Sequence, residues 1–522
     1  MKKLLCLLTL AIGLIPLASK GQSTTTNGPK LEMNDMSIVW ILEDNSDYLR
    51  LATVELSPRG NYDNIFINKY NKQTQTNTIQ EIDEDFEGRF VFLTDDGMLN
   101  VVQEYMNKKT KSLEYRKASF PKESKVPKKL EFVPFYSIPL DGMSDAFVKA
   151  AYSEDMSKFV IYTVLKTGNW KKPTHHVDVA VFDAEGTLLW HQSQKSNDWF
   201  HAEDFLFAND GTVYLADNGH YLNKYAGVKD YLIISVFTEQ GVESQKITPE
   251  CENYSCKKVL LPNGEMRLVG VGENVDGEGY SSLTYKVSSD GQVDYTKSDI
   301  SLSSEMEGVT YDDRISEKKG GFAPYVFSVK RFSNGKLFLT GEMNRIVDVG
   351  YYEGMPSKMG NIQYTVEYPL YGRQSHNMFY AVLTEDGELL DSKEYPRATV
   401  TASELGDREA TKVNPVIVFE YDRDAYLIYN EHRGNIPGND SQWKTLYYNR
   451  PDQCSVVLSK IESNGELSST VLYNAKSHSM EPRYIANQST HEYFFKLLCL
   501  AEDGFYYILR RDGEFRLEKI EF

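Results

Sequence analysis

The sequence predicts an all-β fold, a β-propeller of seven or eight four-stranded antiparallel blades, from three observations. A strand–turn–strand pattern whose turn ends in glycine occurs six times, a second such pattern precedes several of these, and the shortest spacings are close to fifty residues. The stretch "VFDAEGTLLWHQSQ" (181–194) is typical: an apolar run, a tight turn ending at Gly186, and a more polar run. Glycine accepts the positive φ that such turns demand, which makes this a strong short-range hairpin signal.

The six turn glycines are Gly186, Gly241, Gly291, Gly387, Gly465 and Gly513, with gaps of 55, 50, 96, 78 and 48 residues. A unit of about fifty residues with two long insertions accounts for these gaps. Upstream hairpins such as "DFLFANDGTVYLADN", "KKVLLPNGEMRLVGVG" and "FSVKRFSNGKLFLTGEM" complete each unit as four strands, A to D. In "VIVFEYDRDAYLIYN", Asp424 stands where glycine is usual. Before residue 146 the pattern weakens to one or two further units, so seven and eight blades both remain open. Ring closure predicts that the chain ends lie side by side, with "EFRLEKIEF" docked against the N-terminal blade, because an open ring leaves bare faces and edges. No long segment carries helical periodicity, and "ASELGDREATK" (402–412) is read as a short helical turn in a connector.

Met1, Lys2 and Lys3 precede an apolar run from Leu4 to Leu17 and small residues at Ser19 and Gly21, the pattern of a secretory signal peptide cut after Gly21. Residues 1–21 are therefore assigned to the signal, 22–35 to a flexible segment, and 36–522 to one propeller domain. Export to the periplasm or cell exterior follows, and Cys6 lies too early in the run for a lipid anchor. No later run approaches the length of a membrane span. A net charge of -18, more acidic still once three signal lysines are lost, argues against a nucleic-acid partner. The basic run 121–130, "PKESKVPKKL", reads as a solvated connector.

These units resemble the secreted β-propeller repeat proteins of Bacteroidetes-type bacteria over nearly all of the mature chain. "YNEHRGN" (429–435) is similar to a "YND..N" element of such propellers, with Glu431 in place of the Asp. Kelch double glycines and paired Trp-Asp signatures are absent from the sequence. The resemblance implies an architecture and no catalytic residues.

In a propeller the A–B and C–D turns share one face and the B–C and D–A connections share the other. Here the second set is long: 301–324, 344–377 and 431–453. The last two carry Tyr351, Tyr352, Tyr364, Tyr368, Tyr371, Trp443, Tyr447 and Tyr448, an aromatic density suited to binding a protein or a glycan. The expected function is a non-catalytic binding or scaffold protein of the cell envelope, the alternative being a carbohydrate-active enzyme. Hydrolase elbows, zinc helices, phosphate loops and dinucleotide fingerprints are absent from the sequence, so no catalytic residue is assigned.

No cofactor is expected beyond a structural calcium ion, for which Asn274, Asp276 and Glu278 in "ENVDGEGY", or the "EDNSD" turn at 43–47, offer oxygens. His175 and His176 are adjacent strand residues facing opposite ways, so they do not share a metal. Asp312 and Asp313 are an acidic pair among many. Cys251 and Cys256 either close a short disulfide loop or stay free, and Cys454 and Cys499 read as buried thiols. Oligomeric state leaves no trace in the sequence.

Overall fold

The structure is a computed structural model. It describes residues 24–26, 30–31, 38–56, 62–82, 88–94, 96–127, 130–140, 145–155, 157–169, 172–196, 205–218, 231–303, 322–353, 357–359, 362–364, 367–402, 416–435, 446–447, 454–462, 465–474, 499–501, 504–511 and 514–521. The signal segment 1–21, the Asp312–Asp313 pair and most of the expected helical turn at 402–412 lie outside the described residues.

Seven blades of consecutive antiparallel strands follow one another: 38–82, 88–139, 145–196, 205–247, 252–300, 323–402 and 417–474. The segment before residue 146 therefore holds two blades. An eighth sheet joins the two ends of the chain, with Cys499–Ala501, Gly504–Arg511 and Glu514–Glu521 completed by Thr24–Thr26, which pairs antiparallel with the last strand. Lys30–Leu31 pairs with that same strand, so the segment 22–35, expected to be flexible, supplies two closing strands. Pairing satisfies backbone groups on an otherwise bare edge. The closing sheet meets blade one where the Tyr506 and Tyr70 rings lie 5.9 Å apart, edge to face. This is a β-propeller.

Blade-to-blade packing explains why the inner strands read as continuous apolar runs. Alternate side chains of a strand point to opposite faces, and both faces of an inner strand are covered. In blade three, Phe159, Ile161 and Leu165 pack with Phe92, Val102 and Tyr115 of blade two, while Val160, Tyr162 and Val164 pack with Val213, Leu215 and Phe237 of blade four. Successive blades pack face to face in the same way from the first to the seventh.

Eight of the short turns share one geometry. In them the glycine N–H donates to the carbonyl three residues back, as Gly97 to Thr94 (2.9 Å) and Gly387 to Thr384 (3.0 Å), and φ at these glycines lies between 77° and 103°. This is a type I turn followed by a glycine bulge. Blade seven's first turn lacks glycine and puts Asp422 (φ 46°) and Arg423 (φ 67°) in the left-handed region, so the residues that replace glycine stand just before Asp424.

Blades one to six are each also tied forward into the C–D connection of the next. Arg50 Nη1 donates to the Lys122 carbonyl (2.9 Å), Lys117 Nζ to that of Glu185, Gln192 Nε2 to Glu239 (3.0 Å), Gln245 Nε2 to Gly291 (2.7 Å), Arg267 Nε to Glu385 (2.8 Å) and the Tyr395 hydroxyl to Gly465. The basic run at 121–130 takes part: Glu123 accepts from buried Arg50 and pairs with Lys69, while Lys122 pairs with Glu43.

Candidate functional site on the long-connection face

The strand Leu337–Glu353 outlasts its inner neighbour. Pairing with Ala323–Arg331 stops at Asn344, but pairing with Glu367–Leu383 continues to Glu353 opposite Glu367. The stretch 344–377, expected as a loop, is thus mostly an antiparallel arm, tipped by the short pair Ser357–Met359 and Ile362–Tyr364. Its register sets Tyr351 opposite Pro369, Tyr352 opposite Tyr368, Tyr371 opposite Asp348 and Tyr364 opposite Ser357. β-Branched residues and tyrosines such as Ile346, Val347, Tyr351 and Tyr352 favour an extended pleated strand over irregular loop.

The second insertion joins the first. Leu446–Tyr447, inside 431–453, pairs in parallel with blade six's outer strand Leu389–Ala402, Leu446 opposite Thr399 and Tyr447 opposite Val400. Trp443 and Tyr448 lie outside the described residues. Both insertions therefore belong to one five-stranded sheet.

At the root of this sheet the strands slip together. Register shifts between Glu342 and Met343 and between His376 and Met378 leave Asn377 as the extra residue, with φ 46°, and the outer strand skips from Tyr395 to Ala398. A bulge re-aims side chains, and here Arg397 is fully buried. It forms an ion pair with Glu342, each side chain at most 2% exposed, and its guanidinium lies 5.7 Å from the Tyr429 ring centre.

Glu431, 5% exposed at the end of Asp424–His432, completes the group. Its Oε1 accepts from Asn435 Nδ2 (2.8 Å) and from the His432 N–H (2.7 Å), and the Gly434 N–H donates to His432 Nδ1 (2.9 Å). The "YNEHRGN" element is thus a tight turn that folds around its own glutamate. Burial pushes the Glu431 carboxyl up to about 7, with Arg397, Asn435 and the His432 N–H opposing the rise.

A second cluster fixes the ends of the 301–324 connection. The Ser303 N–H donates to both Glu394 oxygens at 2.9 Å, and Phe322 packs edge-on against His376 with centroids 3.8 Å apart. Arg345 lies over the Phe322 ring and donates from Nε to Gln374 Oε1 (2.6 Å). Burial, then Arg345, pushes His376 down to about 4, so it is neutral at physiological pH.

The remaining sequence candidates sit elsewhere. Asn274 Nδ2 donates to the Glu278 carbonyl and Asp276 accepts from the Glu278 N–H, so the "ENVDGEGY" turn uses these groups to close on itself. The "EDNSD" turn is tied by Asn45 to the N–H groups of Asp47 and Tyr48, and Asp44 pairs with Lys72. His175 is buried and His176 half-buried on the opposite face of the strand. Among the described residues no three His, Cys, Asp or Glu side chains converge as metal ligands.

Cys251 and Cys256 are not joined by a disulfide. Cys256 faces Gly270 while Cys251 lies beyond the pairing of Glu252 with Glu273, so largely extended chain separates them. At about 3.3 Å per residue such chain exceeds the roughly 7 Å Cα separation a disulfide tolerates. Burial pushes the Cys251 thiol up to about 12.

Sequence reasoning missed Glu342 and Arg397. Their signals were a lone acid in the apolar run "LFLTGEM" and a proline interrupting the strand "EYPRATV".

No family model and no curated protein matches the chain. Among solved structures it is similar to the β-propeller domain of the Trilobed protease from Pyrococcus furiosus, at 11% identity over 84% of this chain and 97% of that one, TM-score 0.32. It is also similar to Synechocystis apocarotenoid oxygenase (9% identity, 85% and 95% covered, TM-score 0.30) and Pyrococcus horikoshii acylaminoacyl peptidase (11%, 85% and 66%, TM-score 0.31). Likeness at this level carries no activity over to the chain. No helix among the described residues is long and apolar enough to cross a membrane.

Proposed function

We propose that this is an exported, non-catalytic binding propeller of the cell envelope, of the kind secreted by Bacteroidetes-type bacteria, and that it holds a protein or glycan on its long-connection face. The observation that carries this reading is the pairing of Leu446–Tyr447 with Leu389–Ala402, because it gathers two tyrosine-rich insertions into one sheet. Aromatic residues combine large contact area with a polar tip and dominate binding energies at such surfaces.

The test is replacement of Tyr351, Tyr352, Trp443 and Tyr447 together by Ala, with binding measured to a partner captured from envelope extracts. The reading expects affinity to fall by a hundredfold or more, since aromatic anchors commonly contribute about 2 kcal/mol each. An unchanged affinity in a folded variant would contradict it.

A carbohydrate-active enzyme is the second reading, favoured by the raised Glu431 carboxyl, which resembles a general acid held protonated near neutrality. Its burial and its bonds to Asn435 and His432 weigh against access to a substrate.

A further inference from the structure

We infer that Glu342, Arg397 and Glu431 form a proton-operated latch that holds the roots of the two insertions together and so controls assembly of the shared sheet. The inference deepens the binding reading by giving the same face a regulator.

The argument begins with charge. Two carboxyl groups and one guanidinium are buried together, and Arg397 is already paired with Glu342. Among the described residues a second carboxylate in that place has no cation of its own, and an unbalanced buried charge is costly, so it holds a proton instead. The other described groups around it are unsuited to the change. From its own strand Tyr429 is held neutral by burial, its pKa raised, and His432 Nδ1 accepts the Gly434 N–H. Asn435 donates from the following turn, and Ser455 stands opposite on Cys454–Ile461. From blade six come Arg397 and Glu342. The carboxyl of Glu394, three residues before Arg397 and also raised by burial, is tied to Ser303 and so to the other connection. His376 is neutral throughout the physiological range.

Position gives this proton leverage. Glu342 stands where the arm leaves blade six, Arg397 two residues before Thr399 of the inter-insertion pairing, and Glu431 at the first residue of the second insertion. Ionising Glu431 sets two carboxylates on one guanidinium and favours opening of this junction, where Glu431 regains water.

Hydrogen exchange of the full-length protein at pH 6 and pH 8, corrected for intrinsic exchange, reads the latch without any partner. Peptides covering 397–402 and 446–447 should lose about tenfold in protection at pH 8, the factor expected when a group titrating near 7 in the closed form is already ionised in the open one. Glu431→Gln, a neutral mimic of the protonated acid, should make protection equal at both values. Glu342→Gln leaves Arg397 to Glu431 alone and should move the step below pH 6, which serves if the first variant does not fold. Wild-type protection that is independent of pH, a tenfold step surviving in Glu431→Gln, or a step remaining near 7 in Glu342→Gln would each overturn the latch. If the step appears while the four-aromatic variant binds normally, the binding reading fails and the latch stands.

Discussion

The two faces of this propeller are held by different chemistry. On the short-turn face a recurring series of ties between blades ends on backbone carbonyls, from Lys122 in blade two to Gly465 in blade seven, with surface ion pairs such as Lys69 with Glu123 beside them, and eight turns repeat one hydrogen-bond pattern. On the opposite face, at blades six and seven, the ties are charged side chains: Arg397 with Glu342, Glu431 beside them, and Glu394 on Ser303. A carbonyl does not titrate, and Lys69, then Arg50, holds the Glu123 carboxyl below its ordinary value, so the first face stays fixed near neutral pH, whereas the second answers to protons. Adjustable chemistry is concentrated where the fold departs from its repeat.

Removing the cation should give the largest effect. Arg397→Met strands two buried carboxyls and should cost about 3–5 kcal/mol in urea unfolding, the range for breaking a buried ion pair. A loss no greater than that of a surface substitution would show that the cluster is not closed to water.

The frame has its own weak points, one step down. At Gly387 (φ 87°) an added Cβ would meet Thr284 Cβ at 2.4 Å, whereas at Gly97 (φ 81°) it meets only the Lys122 side chain at 3.8 Å. Both Ala variants carry the left-handed strain of about 1–2 kcal/mol, so Gly387→Ala should be the more destabilised of the two. Equal melting temperatures would mean that blades five and six are not in this contact.

Much of the frame was legible in the sequence, because each of its devices is local: glycine in a tight turn, alternation along a strand, a period near fifty residues. The exceptional face was legible in composition and not in form. The tyrosines at 351, 352, 364, 368 and 371 marked the insertion, yet a hairpin with seventeen-residue strands cannot be told from a loop until its register is known. Arg397 and Glu342 are 55 positions apart, and their meeting depends on coincident bulges in two strands, at Asn377 and at 396–397. Glu431 stood out only as a departure from a motif, and its burial comes from the turn around it.

Acid–base titration should separate the two kinds of tie further. Glu431 binds its proton more tightly folded than unfolded, so its contribution is complete below the ordinary value of 4.5 and declines as pH rises toward about 7. His191, whose Nε2 lies 2.6 Å from Asp178 Oδ2 while the Tyr136 hydroxyl donates to Oδ1, is raised above 6.5 chiefly by that hydrogen bond. Its smaller contribution is complete below 6.5 and is lost as pH rises through the raised value. The melting temperature should therefore fall from pH 5 to pH 8, less steeply in Glu431→Gln and slightly less in His191→Gln. A rise over that interval in the wild type would reverse the sign and refute both assignments.

The smallest effect belongs to a single forward tie. Gln192→Ala removes one hydrogen bond to the Glu239 carbonyl and should cost about 1 kcal/mol or less, with no dependence on pH.

The shared sheet of the two insertions is the premise on which both the binding face and the latch rest, and an engineered pair tests it directly. Thr399→Cys combined with Leu446→Cys places two thiols on residues paired across neighbouring strands, within the roughly 4.4–6.8 Å Cα separation that a disulfide accepts. Mild oxidation followed by peptide mapping should recover the 399 and 446 peptides as one cross-linked species, with the protein still folded. Both thiols remaining free in the folded, oxidised protein would contradict the account.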